Sequence, residues 1–177
     1  MRRLIVALGY VSMLGPPHAI RLHAEAQGTG GELDGVPLCD EQLVLITSPE
    51  HPAVLTAKDV AGKAVFTFRQ GCSYRMRLEA WYAHAHTPMG RVMEIESYQS
   101  MLACVIAGAG VAMMAQSMLD SLPGRDRVRV HPLQAPFDQA VTWLMWRQGM
   151  RGANLQAWID LQQSETINQS SECTATA

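Results

Sequence analysis

The sequence predicts an α/β fold built on an open, largely parallel sheet. Between residues 64 and 115, segments of strand and helix pattern alternate as strand, helix, strand, helix, strand, the unit from which such sheets are made. Both helical patterns open next to a serine and close at proline or glycine. The composition, 48% apolar and 17% charged, fits a packed interior.

Each element can be read in order. "LVLITS" (43–48) is a strand that stops at "PEHP", because Pro49 and Pro52 cannot continue a hydrogen-bonded ladder. "AVFTF" (64–68) is the next strand. After Gly71, residues Tyr74, Leu78, Trp81, Tyr82 and Ala85 fall on one face of a helix whose last turn holds His84 and His86 and which ends before Pro88. "RVMEIE" (91–96) alternates as a strand. Ser97 then opens a second helix with Tyr98, Met101, Leu102, Val105 and Ile106 on a shared face, ended by Gly108 and Gly110. "VAMMA" (111–115) is a strand, "LPGRD" (122–126) a turn, "RVRVHPL" (127–133) an alternating strand and "QAVTWLMWR" (139–147) an apolar strand, with Trp143 and Trp146 on opposite faces. A last helix is expected over 154–163, and a tail poor in large apolar residues, 164–177, is expected to be disordered.

A length of 177 residues suits one domain or two small lobes. Net charge is −2, and the cations, twelve of fourteen of them arginine, form no run, so any contact with nucleic acid needs a separate module. Cys39, Cys72, Cys104 and Cys173 include no C-x-x-C pair, which argues for reduced thiols in a cytoplasmic chain. "MRRLIVALGYVSMLG" with "AEA" at 24–26 has the outline of a signal peptide. Against that, Gly9, Tyr10, Ser12 and Gly15 dilute its apolar run, and Arg21 lies in the cleavage region. The run is also far shorter than the ~20 residues that span a membrane, so no membrane partner is expected.

"ELDGVPLCDEQLVLITSPEHP", "FRQGCSYRMRLEAW", "ESYQSMLACVIAGAGVAMMAQSML" and "VTWLMWR", in that order, resemble the effector-binding domain of LysR-type transcriptional regulators over residues 32–162. The resemblance implies a two-lobed, periplasmic-binding-protein-like fold with mixed, largely parallel sheets. It also implies a small effector held between the lobes, pairing of domains into a homodimer, and DNA contact only through a helix-turn-helix absent from this chain. On that plan residues 1–46 and 128–163 form the first lobe and 47–127 the second. The first lobe is incomplete, with "LIVALGYVSM" as its first strand and "PPHAIRLHAEA" as its first helix.

Gly71, Cys72, Ser73 and Tyr74 are the first candidate site. The opening turn of a helix presents unbonded N–H groups and a partial positive charge, which suit a carboxylate or another small anion. The plainer reading is that Ser73 caps the helix and Arg75 pairs with Glu79. Ser97 and Tyr98 repeat the argument at the second helix, where Ser97 is again a possible cap. The resemblance adds that effectors of the family sit at these two helix starts and that Ser12 follows the first strand as a polar contact.

A thiol at a helix start is a candidate nucleophile, but Cys72 has no nearby base in the sequence, and Cys104 reads as a core residue rather than a redox partner. No catalytic residue, metal or cofactor is expected, and the methionines of "VAMMAQSM" read as core. The expected function is therefore that of an effector-binding module for a small acid or polar metabolite. The alternatives are an exported solute-binding protein of similar fold and a truncated regulator without function.

Overall fold

The computed structural model describes residues 21–24 and 33–147, together with 152, 153, 156, 157, 159 and 160. Two compact units share them: Glu41–Ala140, and the described parts of Tyr10–Asp40 and Val141–Ala177. Ser12, the sequence-expected first strand, the signal-like segment up to residue 20 and the tail lie outside the described residues.

In the first unit, β2 (Leu33–Thr47) contributes its second half. β3 (Val65–Thr67), α1 (Ser73–His84), β4 (Val92–Glu94), α2 (Tyr98–Ile106), β5 (Val111–Ala115), α3 (Gln116–Ser121) and β6 (Arg129–Pro132) follow. The strand order is β4-β3-β5-β2-β6. β3 runs parallel to both β4 and β5, as two successive strand-helix-strand crossovers require. β2 is antiparallel to β5 and to β6, which makes the sheet mixed.

β5 is the centre of this unit. All five residues of "VAMMA" are buried, as a strand covered on both faces must be. Around it pack α1, α2 and α3. α1 turns Tyr74, Leu78, Trp81 and Tyr82 inward, and α2 turns Met101, Leu102 and Val105 inward. Both faces are those the periodicity predicts. α1 ends at His84, and His86 lies beyond it in the left-handed region with φ 50°, so only one of the two histidines is in the last turn. α2 is stopped by Gly108, whose φ of 73° suits glycine.

The alternation predicted for residues 127–133 is only partly realised. In "RVRVHPL" the buried residues are Val128, His131 and Leu133, while Val130 is exposed. A histidine thus takes an inward position that simple alternation gives to valine, because β2 and the segment after it offer its ring hydrogen-bond partners.

In the second unit, β1 (Arg21–Ala24) is antiparallel to β7 (Gln139–Arg147), and β7 neighbours β2. The sequence-expected helix over "PPHAIRLHAEA" is therefore wrong at 21–24. The pairing from Arg21↔Met145 to Ala24↔Thr142 gives those four residues backbone partners that so short a stretch could not supply for itself as a helix. Residues 153, 156, 157, 159 and 160 are helical, so the last helix begins about a residue before its expected start. Its Ile159 packs with Leu144 and Trp146, against Val36. Of the two tryptophans of β7, Trp146 is buried and Trp143 half-buried.

Candidate functional site

Parallel strands joined by helices bring the carboxyl end of each strand to the start of the next helix. β3 leads through residues 68–72 into α1, and β4 leads through 95–97 into α2. The two helix starts therefore lie at one end of the first unit's sheet. Gly71 makes the turn into α1 with φ 87°, a conformation side chains disfavour, and the Cys72 amide donates back to the Arg69 carbonyl at 3.2 Å.

Cys72, not Ser73, is the N-cap of α1, and its side chain makes no capping bond. The amides of this first turn thus receive no acceptor from the cap side chain. Ser73 is the first helical residue and is buried, as are Cys72 and Tyr74. At α2 the plainer expectation holds: Ser97 is the N-cap, and its Oγ accepts from the Ser100 amide at 3.3 Å.

Tyr98 links the two starts. Its ring meets Phe68 edge-on, with centroids 4.9 Å apart, so the residue after β3 packs on the first residue of α2. Its phenol is held well above the ordinary tyrosine range, first by burial and then by the neighbouring ionisable groups of Tyr74, Cys72 and Glu41.

Arg75 is committed elsewhere. Its guanidinium bonds Glu79 at 2.8 Å, Glu94 at 2.5 Å and the Phe68 carbonyl at 3.3 Å. The i,i+4 pair expected from sequence is present, and the hydrogen bonds to Glu79 and then Glu94 raise the guanidinium's pKa further.

Sequence reasoning missed two polar residues. Antiparallel pairing of Leu43 with Ala115 carries β2 back past the end of β5, where the Ser117 hydroxyl donates to the Glu41 carboxylate at 2.6 Å. Glu41 thereby joins the end of the sheet that holds both helix starts. The second is His131, 3% exposed: its Nε2 lies 2.9 Å from Thr47 Oγ1, and its Nδ1 accepts from the Val54 amide at 3.1 Å. The Val54 bond fixes the neutral tautomer protonated on Nε2. Neither residue has a spacing that a linear reading singles out.

Cys72 is a buried free thiol, and Cys104 is a half-buried one within α2. Among the described residues, no cluster of His, Cys, Asp and Glu could hold a metal, and no helix is long and apolar enough to cross a membrane.

Comparison with known proteins agrees with this architecture. The family model described as LysR substrate binding domain matches residues 19–166. The chain is 29% identical over 109 residues to the HTH-type transcriptional regulator GltR of Bacillus subtilis, covering 62% of this chain and 37% of that protein. It is also 29% identical over 108 residues to the HTH-type transcriptional regulator SoxR of an Arthrobacter species, covering 61% and 36%. The chain thus spans little more than a third of the length of these curated relatives.

Among solved structures, the regulatory domain of Synechocystis CcmR in complex with 2-PG aligns with a TM-score of 0.71 at 17% identity, covering 83% of this chain and 73% of that one. The regulatory domain of the LysR family regulator MetR from N. meningitidis aligns at 0.67 and 16% identity, covering 84% and 73%. Such low identities speak for the fold, which is that of LysR regulatory domains. The relatives are named as regulators of transcription rather than as enzymes. An open mixed sheet, two helix starts at one end of it and a family match across most of the sequence lead to one conclusion: the chain belongs to the LysR substrate-binding domain family and is an effector-binding domain of LysR-type regulators.

Proposed function

We propose that this domain senses a small acid or polar metabolite at the starts of α1 and α2, with the ligand's carboxylate or other anionic group on the amides of residues 73–75. The observation that carries this reading is the N-terminus of α1, where the N-cap side chain of Cys72 makes no capping bond and Ser73 is buried beside it. An anion there gains amide hydrogen bonds and the favourable end of a helix dipole. Tyr98 and Ser97 contribute at the start of α2. Gly71 takes the left-handed turn into α1, with open space beside its Cα. Cys72 and Tyr74 line the same place, and Ser12 remains an expected contact outside the described residues.

Effector binding then shifts the population of conformations in which paired domains pack, and a helix-turn-helix module of the regulator passes that shift to DNA. A homodimer and a cytoplasmic setting go with this role.

The test is a thermal-shift titration of the chain with small mono- and dicarboxylates, hydroxy acids and amino acids, repeated on Ser73→Ala and Ser97→Ala. A ligand held by the native state raises the melting midpoint with concentration, by about 2.7 kcal/mol of stability at a hundredfold excess over Kd. A shift lost in the Ser73 variant supports the reading. An unmoved midpoint at millimolar acid, in a chain that melts cooperatively, refutes it.

A further inference from the structure

We propose that His131 is an acid-sensitive latch: its neutral ring holds the loop 49–56 onto β6, and uptake of a proton releases that loop while the sheet stays folded. The inference is independent of the helix starts. β2 is antiparallel to β5, so the loop that follows Thr47 lies at the amino end of β5, the opposite end of the sheet.

The loop joins β2 to the short 3-10 turn Ala57–Val60. Several of its bonds are local. The His51 amide donates to the Ser48 carbonyl, and the Leu55 and Thr56 amides donate to the Asp59 carboxylate. Among the described residues, two hydrogen bonds fasten the loop to a strand, and both go to β6. Arg129 Nη1 donates to the His51 carbonyl at 2.9 Å, and the Val54 amide donates to His131 Nδ1 at 3.1 Å. Val54 is also the one buried residue of 49–56, so the latch and the loop's apolar anchor coincide. β6 itself is held to β2 by backbone pairing from Val44↔Pro132 to Thr47↔Arg129, which does not use the ring.

The chemistry of the latch follows from its two nitrogens. Nε2 carries the ring's proton and donates to Thr47 Oγ1, whose own proton goes to the Ser48 carbonyl. A proton from solvent must therefore add at Nδ1, and it takes the lone pair that Val54 uses. Two N–H groups then face each other, neither has an acceptor, and a charge is buried. Opening the loop gives both donors and the charge to water. The charged groups that act on the ring are Arg129 on its own strand and His51 on the loop, and both disfavour a charge on it. His51 meets the ring edge-on with centroids 6.3 Å apart, so moving the loop away lets the proton be held more readily. From β2 the group that meets the ring is the Thr47 hydroxyl, and from the 3-10 turn the Asp59 carboxylate is occupied by the loop amides. Release uncovers Val54 beside Leu55, which is already 72% exposed, so the acid form presents an apolar surface that the neutral form lacks.

Hydrogen exchange of the full chain between pH 7.5 and 5.0, corrected for the intrinsic pH dependence of exchange, compares 49–56 with the central strand 111–115. Imidazole NMR over the same range reads the protonation of His131. The opening constant of 49–56 should rise by up to about tenfold for each pH unit below 6.5 while 111–115 stays protected, and return to pH 7.5 should restore the loop. Arg129→Gln, an exposed change, removes the loop's other bond to β6 and a cation beside the ring, so it should move the opening to higher pH. His131→Gln should lose the acid response; if that variant does not fold, the wild type and Arg129→Gln decide. The latch is overturned if 49–56 is equally protected at pH 5.0 and 7.5, if it loses protection together with 111–115, or if it opens without protonation of His131. An Arg129→Gln chain that opens at the wild-type pH overturns it as well.

Discussion

Thr47 and His131 meet across β2 and β6, Oγ1 to Nε2 at 2.9 Å, with both side chains nearly inaccessible. The hydroxyl donates to the Ser48 carbonyl at 3.1 Å, and the other ring nitrogen accepts from the Val54 amide, so the imidazole ties two strands and the following loop together. Burial, then Arg129 and His51, lowers its pKa below the ordinary 6.5. The unfolded chain therefore binds a proton at a higher pH than the native one. Stability from this site is complete above pH 6.5 and declines as the pH falls below it towards the native pKa. Urea midpoints measured between pH 7.5 and 5 should fall with acid in the wild type and fall less in His131→Gln. At neutral pH, His131→Ala should cost about 1–3 kcal/mol for the buried Val54 amide it strands, while the Thr47 hydroxyl keeps its bond to the Ser48 carbonyl.

The two serines should behave differently without any ligand. Ser97 caps α2 through Ser100, so Ser97→Ala should lower stability by about 1 kcal/mol. Ser73 is not the cap of its helix, so Ser73→Ala should show no capping loss. Chemical denaturation of the ligand-free variants checks both, and equal losses would contradict the cap assignment.

Gly110 stands just before β5, beside the start of its neighbour β3. A Cβ there would come within 2.3 Å of the Ala64 carbonyl oxygen, which accepts from the Val111 amide at 2.9 Å. Relieving the clash moves the acceptor that starts the β3–β5 pairing. Gly110→Ala should therefore destabilise by about 1–3 kcal/mol in spite of the usual gain from replacing glycine, as read from the denaturation midpoint.

Tyr82 is 1% exposed, and among the described residues its hydroxyl has no hydrogen-bond partner. Burial raises its pKa to about 12. Tyr82→Phe keeps the ring and removes the buried hydroxyl, so it should leave stability unchanged or raise it by up to about 1 kcal/mol. A loss above that size would mean that the hydroxyl has a strong partner after all.

What the sequence made legible was local. Hydrophobic period identified α1 and α2 with their inward faces, and the unbroken apolar run of "VAMMA" identified the central strand, because each of these follows from neighbouring residues alone. The helix starts were legible for the same reason, although Cys72 took the cap position that serine would ordinarily fill. The missed features are non-local. Glu41 lies at the end of the sheet that holds both helix starts only because β2 runs antiparallel to β5, and His131 turns inward only because Thr47 and Val54 wait there. The strand at Arg21–Ala24 depends on β7, more than a hundred residues later in the chain. No window of sequence contains those partners.

The same pairing sets an order of events during synthesis. Among the described residues, Glu41–Ala140 holds β3, β4, β5, β6 and their helices in one uninterrupted stretch. A nascent chain can therefore complete that core while later residues are still being made. β1 must wait for β7 to leave the ribosome, so the second unit closes last and is the one whose assembly a premature stop would abolish.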